Sequence, residues 1–446
     1  MITFTSPAHA GRAGVLLALL LGSGSLLAQS FQDLGSVPPY GNATGSAPLS
    51  PKFVSADGSV VAGTAGSAGS DGHAGFFFPP ANGAQAFVWT QDTGSFGLGV
   101  VDPYPLASGF TPVASGANAV SADGSTVVGV SVYQDANSNK ACIPFVWTAN
   151  AGMQFIGAFD STAPAVGSAT DVSADGSVVV GYCSTASGKV HPFRWTQDGG
   201  MIDLALDPDV NSYATAVSAD GSVVVGVEAG TLHDFFVWTQ DAGTTRISVP
   251  PGTFSIGSAY VSGDGSTLAG VTEDNNGSQR VRWTADSGLE IVPEYSGDNV
   301  SSEEGAAVAG LSYDGSALIE SFTANVGGQI FNTHSYRWTD CGDLQTLGFL
   351  ELGGNRATTT AENLSADGQI IVGTSAGQAF IWSVTDGIWP LQSILNDVYG
   401  LGPQLTGWSL RDARAISADG LTIVGTGTFG GASGHAWIAQ LPFVFN

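Results

Sequence analysis

The stretch Ala216-Val217-Ser218-Ala219-Asp220-Gly221-Ser222-Val223-Val224-Val225-Gly226 decides the fold. It joins two apolar runs through Ala-Asp-Gly, which fits a short hairpin: a type I turn followed by a left-handed residue, a conformation glycine adopts without steric cost. An Asx turn made by the aspartate is the competing description of the same residues. Both readings are structural, and replacing one such glycine should weaken its hairpin. The Ser-x-Asp-Gly tetrad recurs at Ser55 to Gly58, Ser121 to Gly124, Ser173 to Gly176, Ser262 to Gly265, Ser312 to Gly315, Ser365 to Gly368 and Ser417 to Gly420, making eight with Ser218 to Gly221.

Each tetrad leads into an apolar run such as Val178-Val179-Val180-Gly181, and after a variable gap comes an aromatic strand ending in Trp. That strand reads Ala86-Phe87-Val88-Trp89, Pro144-Phe145-Val146-Trp147, Pro192-Phe193-Arg194-Trp195 and Phe235-Phe236-Val237-Trp238, and continues with Trp283, Trp338 and Trp382. In the last repeat Trp437 stands where the others have Phe. A fourth segment, clearest as Gly200-Met201-Ile202-Asp203-Leu204 and Leu344-Gln345-Thr346-Leu347-Gly348, completes a four-stranded unit. A repeat of this length points to a propeller array. Unbroken Val-Val-Val suits a strand buried on both faces, whereas a two-layer sandwich gives alternation. Phe193 and Trp195, two apart, share one face and should pack against the neighbouring blade, each buried Trp contributing roughly 4 to 6 kcal/mol as an upper estimate.

The chain is therefore predicted to be all-β, a single eight-bladed β-propeller of four-stranded blades over residues 29–446. Its last repeat ends at Trp437-Ile438-Ala439-Gln440-Leu441 with no room for a fourth strand, while Phe31-Gln32-Asp33-Leu34-Gly35 reads as an orphaned one. The N-terminal strand should join the last blade and so remove the edges of an open array. An open β-solenoid is the competing architecture, and it would not require complementary ends.

These residues resemble the HAF family of probable extracellular bacterial repeats, named for a His-Ala-Phe tripeptide. The likeness spans nearly the whole chain after residue 28. It is carried by Ala216 to Gly226, by His191-Pro192-Phe193-Arg194-Trp195-Thr196, by Gly434-His435-Ala436-Trp437, and by Gly407-Trp408-Ser409-Leu410 leading to Ile423-Val424-Gly425. The resemblance implies export and a repeat fold, and no particular activity.

Residues 1–28 differ from the rest. Arg12 precedes an apolar run from Ala13 to Leu21, continued after Gly-Ser-Gly by Leu26, Leu27 and Ala28 before Gln29, the pattern of a secretory signal peptide. A membrane anchor is the alternative, but a span needs about 20 apolar residues and this run is shorter and broken by glycine. The formal charge of −26, from 38 acidic and 12 basic residues, repels phosphate backbones and argues against a nucleic-acid partner. Cys142, Cys183 and Cys341 allow at most one internal bridge in an oxidising compartment. Cys142 with Cys183 is the candidate disulfide, expected on loops at one face of neighbouring blades.

No catalytic constellation stands out. His191, His334 and His435 occupy equivalent strand positions in different blades, too far apart around a ring to share a metal ion. Arg194, Arg282 and Arg337 each precede a blade Trp and repeat with the scaffold, whereas a sialidase-like site would need them to converge. The oxygen-rich loops Asp135-Ala136-Asn137-Ser138-Asn139 and Asp274-Asn275-Asn276-Gly277 are the places for calcium, although neither has the full alternating ligand spacing. No other cofactor is implied.

Function on a rigid ring resides in irregular loops. The longest insertion, Thr64 to Gln85, carries Asp71, His73, Phe76, Phe77 and Phe78, and the segment Val100 to Gly116, carrying Tyr104, should emerge on the same face. These six are the candidate ligand-binding residues, although the phenylalanines also fit a packed plug. Leu391 to Gly407 should hold a short helix near Gln392 that stiffens the closing blade. The sequence thus predicts a monomeric binding or adhesion module, secreted or at the cell surface with the periplasm as the other destination, and with a glycan or protein ligand. A polysaccharide-directed hydrolase or lyase and a structural matrix protein are the rival readings.

Overall fold

The computed structural model describes residues 29–41, 46–66, 80–102, 108–160, 164–229, 233–257, 259–275, 277–293, 302–326, 329–350 and 358–445, with backbone alone for 302–305, 323–326 and 329–332. The described strands form eight antiparallel sheets, one per repeat, numbered here as blades 1 to 8. Blade 3 is representative: Gly167–Val172, Val178–Ser184, Val190–Thr196 and Gly200–Asp203 lie side by side in chain order.

The first strand of each blade has a single sheet partner and touches the first strand of the blades on either side. Those contacts run without interruption from Leu49–Val54 in blade 1 to Trp408–Ile416 in blade 8 and back to blade 1. The first strands therefore border the axis of a closed ring, and the array is an eight-bladed β-propeller with no open solenoid end. Closure is made as the terminal residues suggest. Ser30–Asp33 pairs antiparallel with the third strand of blade 8, with Phe31 opposite Ala439 and Asp33 opposite Trp437. Phe31 is buried, its ring stacked on Trp437 at 6.0 Å and edge-on to Trp408 at 5.2 Å.

The core is divided into seams. Val179, Phe193 and Trp195 of blade 3 pack with Val128, Ile143 and Val146 of blade 2, and Trp238 of blade 4 packs with Val178 and Val180 of blade 3. Val178 to Cys183 are all buried, as an unbroken apolar run predicts. The helix Leu391–Asp397 fills the seam between blades 7 and 8, placing Leu391, Ile394 and Leu395 beside Phe31 and Trp437.

The glycine ending most of the apolar runs has a packing reason. Phe193 lies opposite Gly181, and a Cβ on that glycine would fall 2.8 Å from the phenylalanine ring. Trp437 stands in the same relation to Gly425, which accounts for its place in the last repeat.

The tetrads adopt the turn expected and add a contact that the sequence did not disclose. In blade 4 the Gly221 amide donates to Ser218 O at 2.9 Å, and Gly221 has φ +72°. The Ser218 hydroxyl donates to Asp220 Oδ1 at 2.7 Å and accepts the Val223 amide at 3.0 Å. Asp220 Oδ1 also accepts the Ser222 amide at 2.9 Å, so the Asx description holds as well. The turns are joined across the seams: the Ala174 amide donates to Ala219 O, the Ala219 amide to Gly263 O and the Ala366 amide to Ala418 O, at 2.9 to 3.0 Å. Each tetrad glycine also faces the preceding blade, where a Cβ on Gly221 would lie 2.5 Å from Val178 Cγ2 and one on Gly58 would collide with Thr422 of blade 8. Replacing any tetrad glycine but Gly420 thus wedges a seam between two blades besides straining its own hairpin.

The proposed Cys142 to Cys183 bridge is absent. Both residues lie within strands, Lys140–Thr148 and Val178–Ser184, and not on loops; each is a buried free thiol. Register fixes them in place, Cys142 opposite Val132 and Cys183 opposite His191, and they pack in different apolar clusters.

Two outcomes follow from this packing. Gly221→Ala should cost about 2 to 3 kcal/mol, combining left-handed strain with seam overpacking, whereas Gly420→Ala should cost about 1 kcal/mol. The difference arises because the atom nearest a Cβ on Gly420 is 3.7 Å away. Phe31→Ala should cost about 3 to 5 kcal/mol by emptying the Trp408 and Trp437 slot. Equilibrium urea unfolding followed by tryptophan fluorescence measures all three.

Candidate functional site

Strand direction separates two faces. First-to-second and third-to-fourth turns open on the tetrad face, while second-to-third hairpins and blade-to-blade crossovers open on the other. The tetrad face is nearly uniform from blade to blade. The opposite face holds the irregularities: long hairpins in blades 2, 6 and 8, built on Thr126–Gln134 with Lys140–Thr148, Ala317–Val326 with Gln329–Thr339, and Thr422–Phe429 with Ala432–Gln440.

Asp71, His73, Phe76, Phe77, Phe78 and Tyr104 lie outside the described residues, but the stems that carry them are described. Val60–Ala65 runs into the insertion and Gly94–Gly99 into the crossover, so both leave blade 1 at the irregular face, as expected. Their bases are tied down. The Tyr40 amide donates to Gly83 O at 2.9 Å, the Gly83 amide to Val113 O at 2.8 Å and Asn82 Nδ2 to Gln134 Oε1 at 2.9 Å. The Val101 amide donates to Ser131 Oγ at 3.1 Å, and the Tyr133 hydroxyl donates to Val101 O. The described ends of both segments are thereby held at the junction of blades 1 and 2.

The channel wall holds a second set of side chains, which the sequence reading missed. In seven blades the first strand skips one register position three residues before the tetrad serine, a β-bulge at Lys52, Asn118, Thr170, Thr215, Ala309, Glu362 and Arg414. In four of these blades the bulged side chain reaches the next blade: Asn118 Nδ2 donates to Ala169 O at 2.7 Å, Thr170 Oγ1 to Ala214 O at 3.0 Å, Thr215 Oγ1 to Ala259 O at 2.6 Å and Arg414 Nη1 to Ser50 Oγ at 3.0 Å. A polar residue between small ones, as in Ala117-Asn118-Ala119 and Ala413-Arg414-Ala415, was the available signal.

Asp171 follows the bulge of blade 3, with Oδ1 accepting the Val172 amide at 2.8 Å and Oδ2 the Val217 amide of blade 4 at 2.9 Å. Some of its surface remains open, yet the inner strands crowd it. Burial pushes its carboxyl up to about 6 against the pull of those two amides.

The residues singled out by type prove to be fasteners. His191 uses both ring nitrogens, Nδ1 with Asp203 Oδ2 at 2.7 Å and Nε2 with Pro208 O at 3.2 Å. His334 stacks on Phe322 in blade 6, and His435 Nδ1 pairs with Asp33 Oδ2 at 3.0 Å across the ring closure. Arg194 lies over Trp238 at 5.3 Å, Arg282 over Trp338 at 5.8 Å, and Arg337 Nε donates to Gly368 O at 2.7 Å, each from one blade to the next. Asp135 Oδ1 accepts the Asn137 and Asn139 amides, both at 2.8 Å, so that loop closes on itself. Among the described residues no three His, Cys, Asp or Glu side chains gather as a metal set, and no helix is long and apolar enough to cross a membrane.

No protein-family model and no curated protein matches the chain. Similar solved structures include the Dos1 propeller, at 10% identity over 93% of this chain and 97% of that one, with a TM-score of 0.48. An oligogalacturonate lyase from Vibrio parahaemolyticus aligns at 14% identity over 94% and 98%, with a TM-score of 0.46. A prolyl endopeptidase aligns at 14% identity over 77% and 48%, with a TM-score of 0.47. At such identities the likeness concerns architecture and says nothing of chemistry.

The carboxyl groups set a pH dependence. The Asp171 pKa is raised, so the folded chain takes up that proton before the unfolded chain does, and this part of stability rises as pH falls from about 6 to about 4. Asp175, Asp220 and Asp314 are held below the usual range by hydrogen bonds from the following serine and the tetrad serine. Their contribution is present above about pH 4 and lost as pH falls further. Chemical denaturation across pH 3 to 8 should show greatest stability near pH 4 to 5. Asp171→Asn should abolish the rise below pH 6 and lower stability at neutral pH, since its side-chain NH2, a donor, would face one of the two backbone amides that the separate carboxylate oxygens accept.

Proposed function

We propose that the protein is an exported propeller that binds a glycan or protein ligand, at the bacterial surface or outside the cell, on the face opposite the tetrad turns. One observation carries the reading: long hairpins, crossovers and the blade 1 insertion open on that face, while the tetrad face repeats with little change. A ring held by fasteners at every seam supplies rigidity, and variable loops supply recognition. The signal-peptide pattern in residues 1–28 and the resemblance to HAF repeats support export.

The test uses the chain from residue 29 onward on a glycan array and on immobilised surface-protein fractions. Replacing residues 67–79 with the Ala376-Gly377 turn of blade 7 should reduce binding about tenfold or more, a change of about 1.4 kcal/mol, and leave the melting temperature within a few degrees. Undiminished binding overturns the reading. So does polysaccharide turnover that disappears in the channel-wall variant Glu362→Gln, which would place the protein among the hydrolases or lyases.

A further inference from the structure

Seven of the eight tetrads place a small residue after the serine: Ala56, Ala122, Ala174, Ala219, Gly263, Ala366 and Ala418. Blade 6 places Tyr313 there, with 54% of its surface exposed. Blade 5, immediately before it, is where alanine is replaced by glycine. A Cβ on Gly263 would be crowded by three atoms of the Tyr313 ring, with Cγ 2.9 Å away. One side of the ring is therefore seated on a glycine, and the other faces solvent. The seat is rigid, because the Asp264 amide donates to Tyr313 O at 3.0 Å and the Tyr313 amide donates to Ala366 O at 2.7 Å.

The seat is flanked by two carboxylates. Asp264 Oδ1 accepts from the Ser262 hydroxyl, the Ser266 amide and the Ser266 hydroxyl at 2.6 to 2.9 Å. Asp314 Oδ1 accepts from the Ser312 hydroxyl, the Ser316 amide and the Ser316 hydroxyl at 2.7 to 3.0 Å. In both cases Oδ2 stands outside the turn network. The carboxylates are near enough for the charge of Asp314 to act on Asp264. Arg282, on the same seam, is engaged with the Trp338 ring and Thr267 Oγ1.

We propose that Tyr313, seated on Gly263 and flanked by Asp264 and Asp314, is a binding site for a guanidinium group, the side chain of an arginine-containing peptide. The exposed ring face supplies a cation–π surface and the two Oδ2 atoms supply acceptors for its N–H donors. The chain itself uses this pairing internally, with Arg194 on Trp238, Arg280 on Phe322 and Arg282 on Trp338 at 5.1 to 5.8 Å. A net charge of −26 steers cations inward and repels uronates and phosphates. The site lies on the tetrad face and is independent of the binding face proposed above.

The probe is a tri-arginine amide, titrated calorimetrically into the chain from residue 29 onward and compared with tri-lysine amide and a neutral trisaccharide. Tyr313→Ala installs the residue that six other tetrads carry, so the fold is retained. It should weaken tri-arginine binding about fivefold or more, whereas Tyr313→Phe should bind like the parent. Gly263→Ala, also the common tetrad residue, should displace the ring and weaken binding with the tyrosine still present. Unchanged affinity in Tyr313→Ala would reduce the attraction to diffuse charge and overturn the proposal. So would a Tyr313-dependent affinity for the trisaccharide in place of the peptide. Deletion of residues 67–79 should leave this site unaffected.

Discussion

A ring of separate sheets exists only while its last seam is shut, and here four residues at one end of the chain do the shutting. Ser30 to Asp33 supply the outer strand of a blade whose other three strands lie at the opposite end. The backbone pairing is short, so its hold depends on Phe31 entering the Trp408 and Trp437 slot and on Asp33 meeting His435. The helix after blade 7 thickens the wall around that slot. No blade buries both of its faces alone, so every seam relies on this one being closed.

Glycine sets how closely the blades approach, in two ways. At the tetrads it supplies both a left-handed turn and the gap into which the preceding blade fits. At the end of six of the apolar runs it admits an aromatic ring from the neighbouring strand, while Gly270 of blade 5 faces Val281. Blade 6 departs from the rule. Glu320 sits there opposite Tyr336, the place of the run's glycine in blade 3, and its carboxylate stands 2.5 Å from Arg280 of blade 5, both fully buried. A buried pair of this kind adds little net stability, yet losing one partner strands a charge. That seam is thus matched by charge as well as by shape. It is also where Tyr313 replaces the usual alanine, so the departures of this blade from the repeat cluster at one place.

The two faces answer to different constraints. On the tetrad face the turns bond to one another around the ring, which leaves little freedom for change. Crossovers and hairpins on the other face are tied only at individual places, as at Gly83 and Val101, and vary in length. Polar bulges in the inner strands occupy a middle position: Asn118, Thr170 and Thr215 fasten neighbouring blades through backbone carbonyls.

Local chemistry was fully legible in the sequence. The tetrads, the apolar runs, the aromatic strands and the complementary ends gave eight hairpin-rich blades and their closure, because turn propensity and burial pattern are properties of neighbouring residues. The helix near Gln392 and the structural character of the histidines and arginines could be read in the same way. What only the tertiary structure decided concerns residues from different repeats that meet across a seam. The free thiols of Cys142 and Cys183, the glycine gaps facing the preceding blade, the channel bulges, the raised Asp171 and the Tyr313 seat all depend on the angle and spacing between sheets. A repeat repeats its own contacts in the sequence, but the distance to its neighbour is set only when the ring closes.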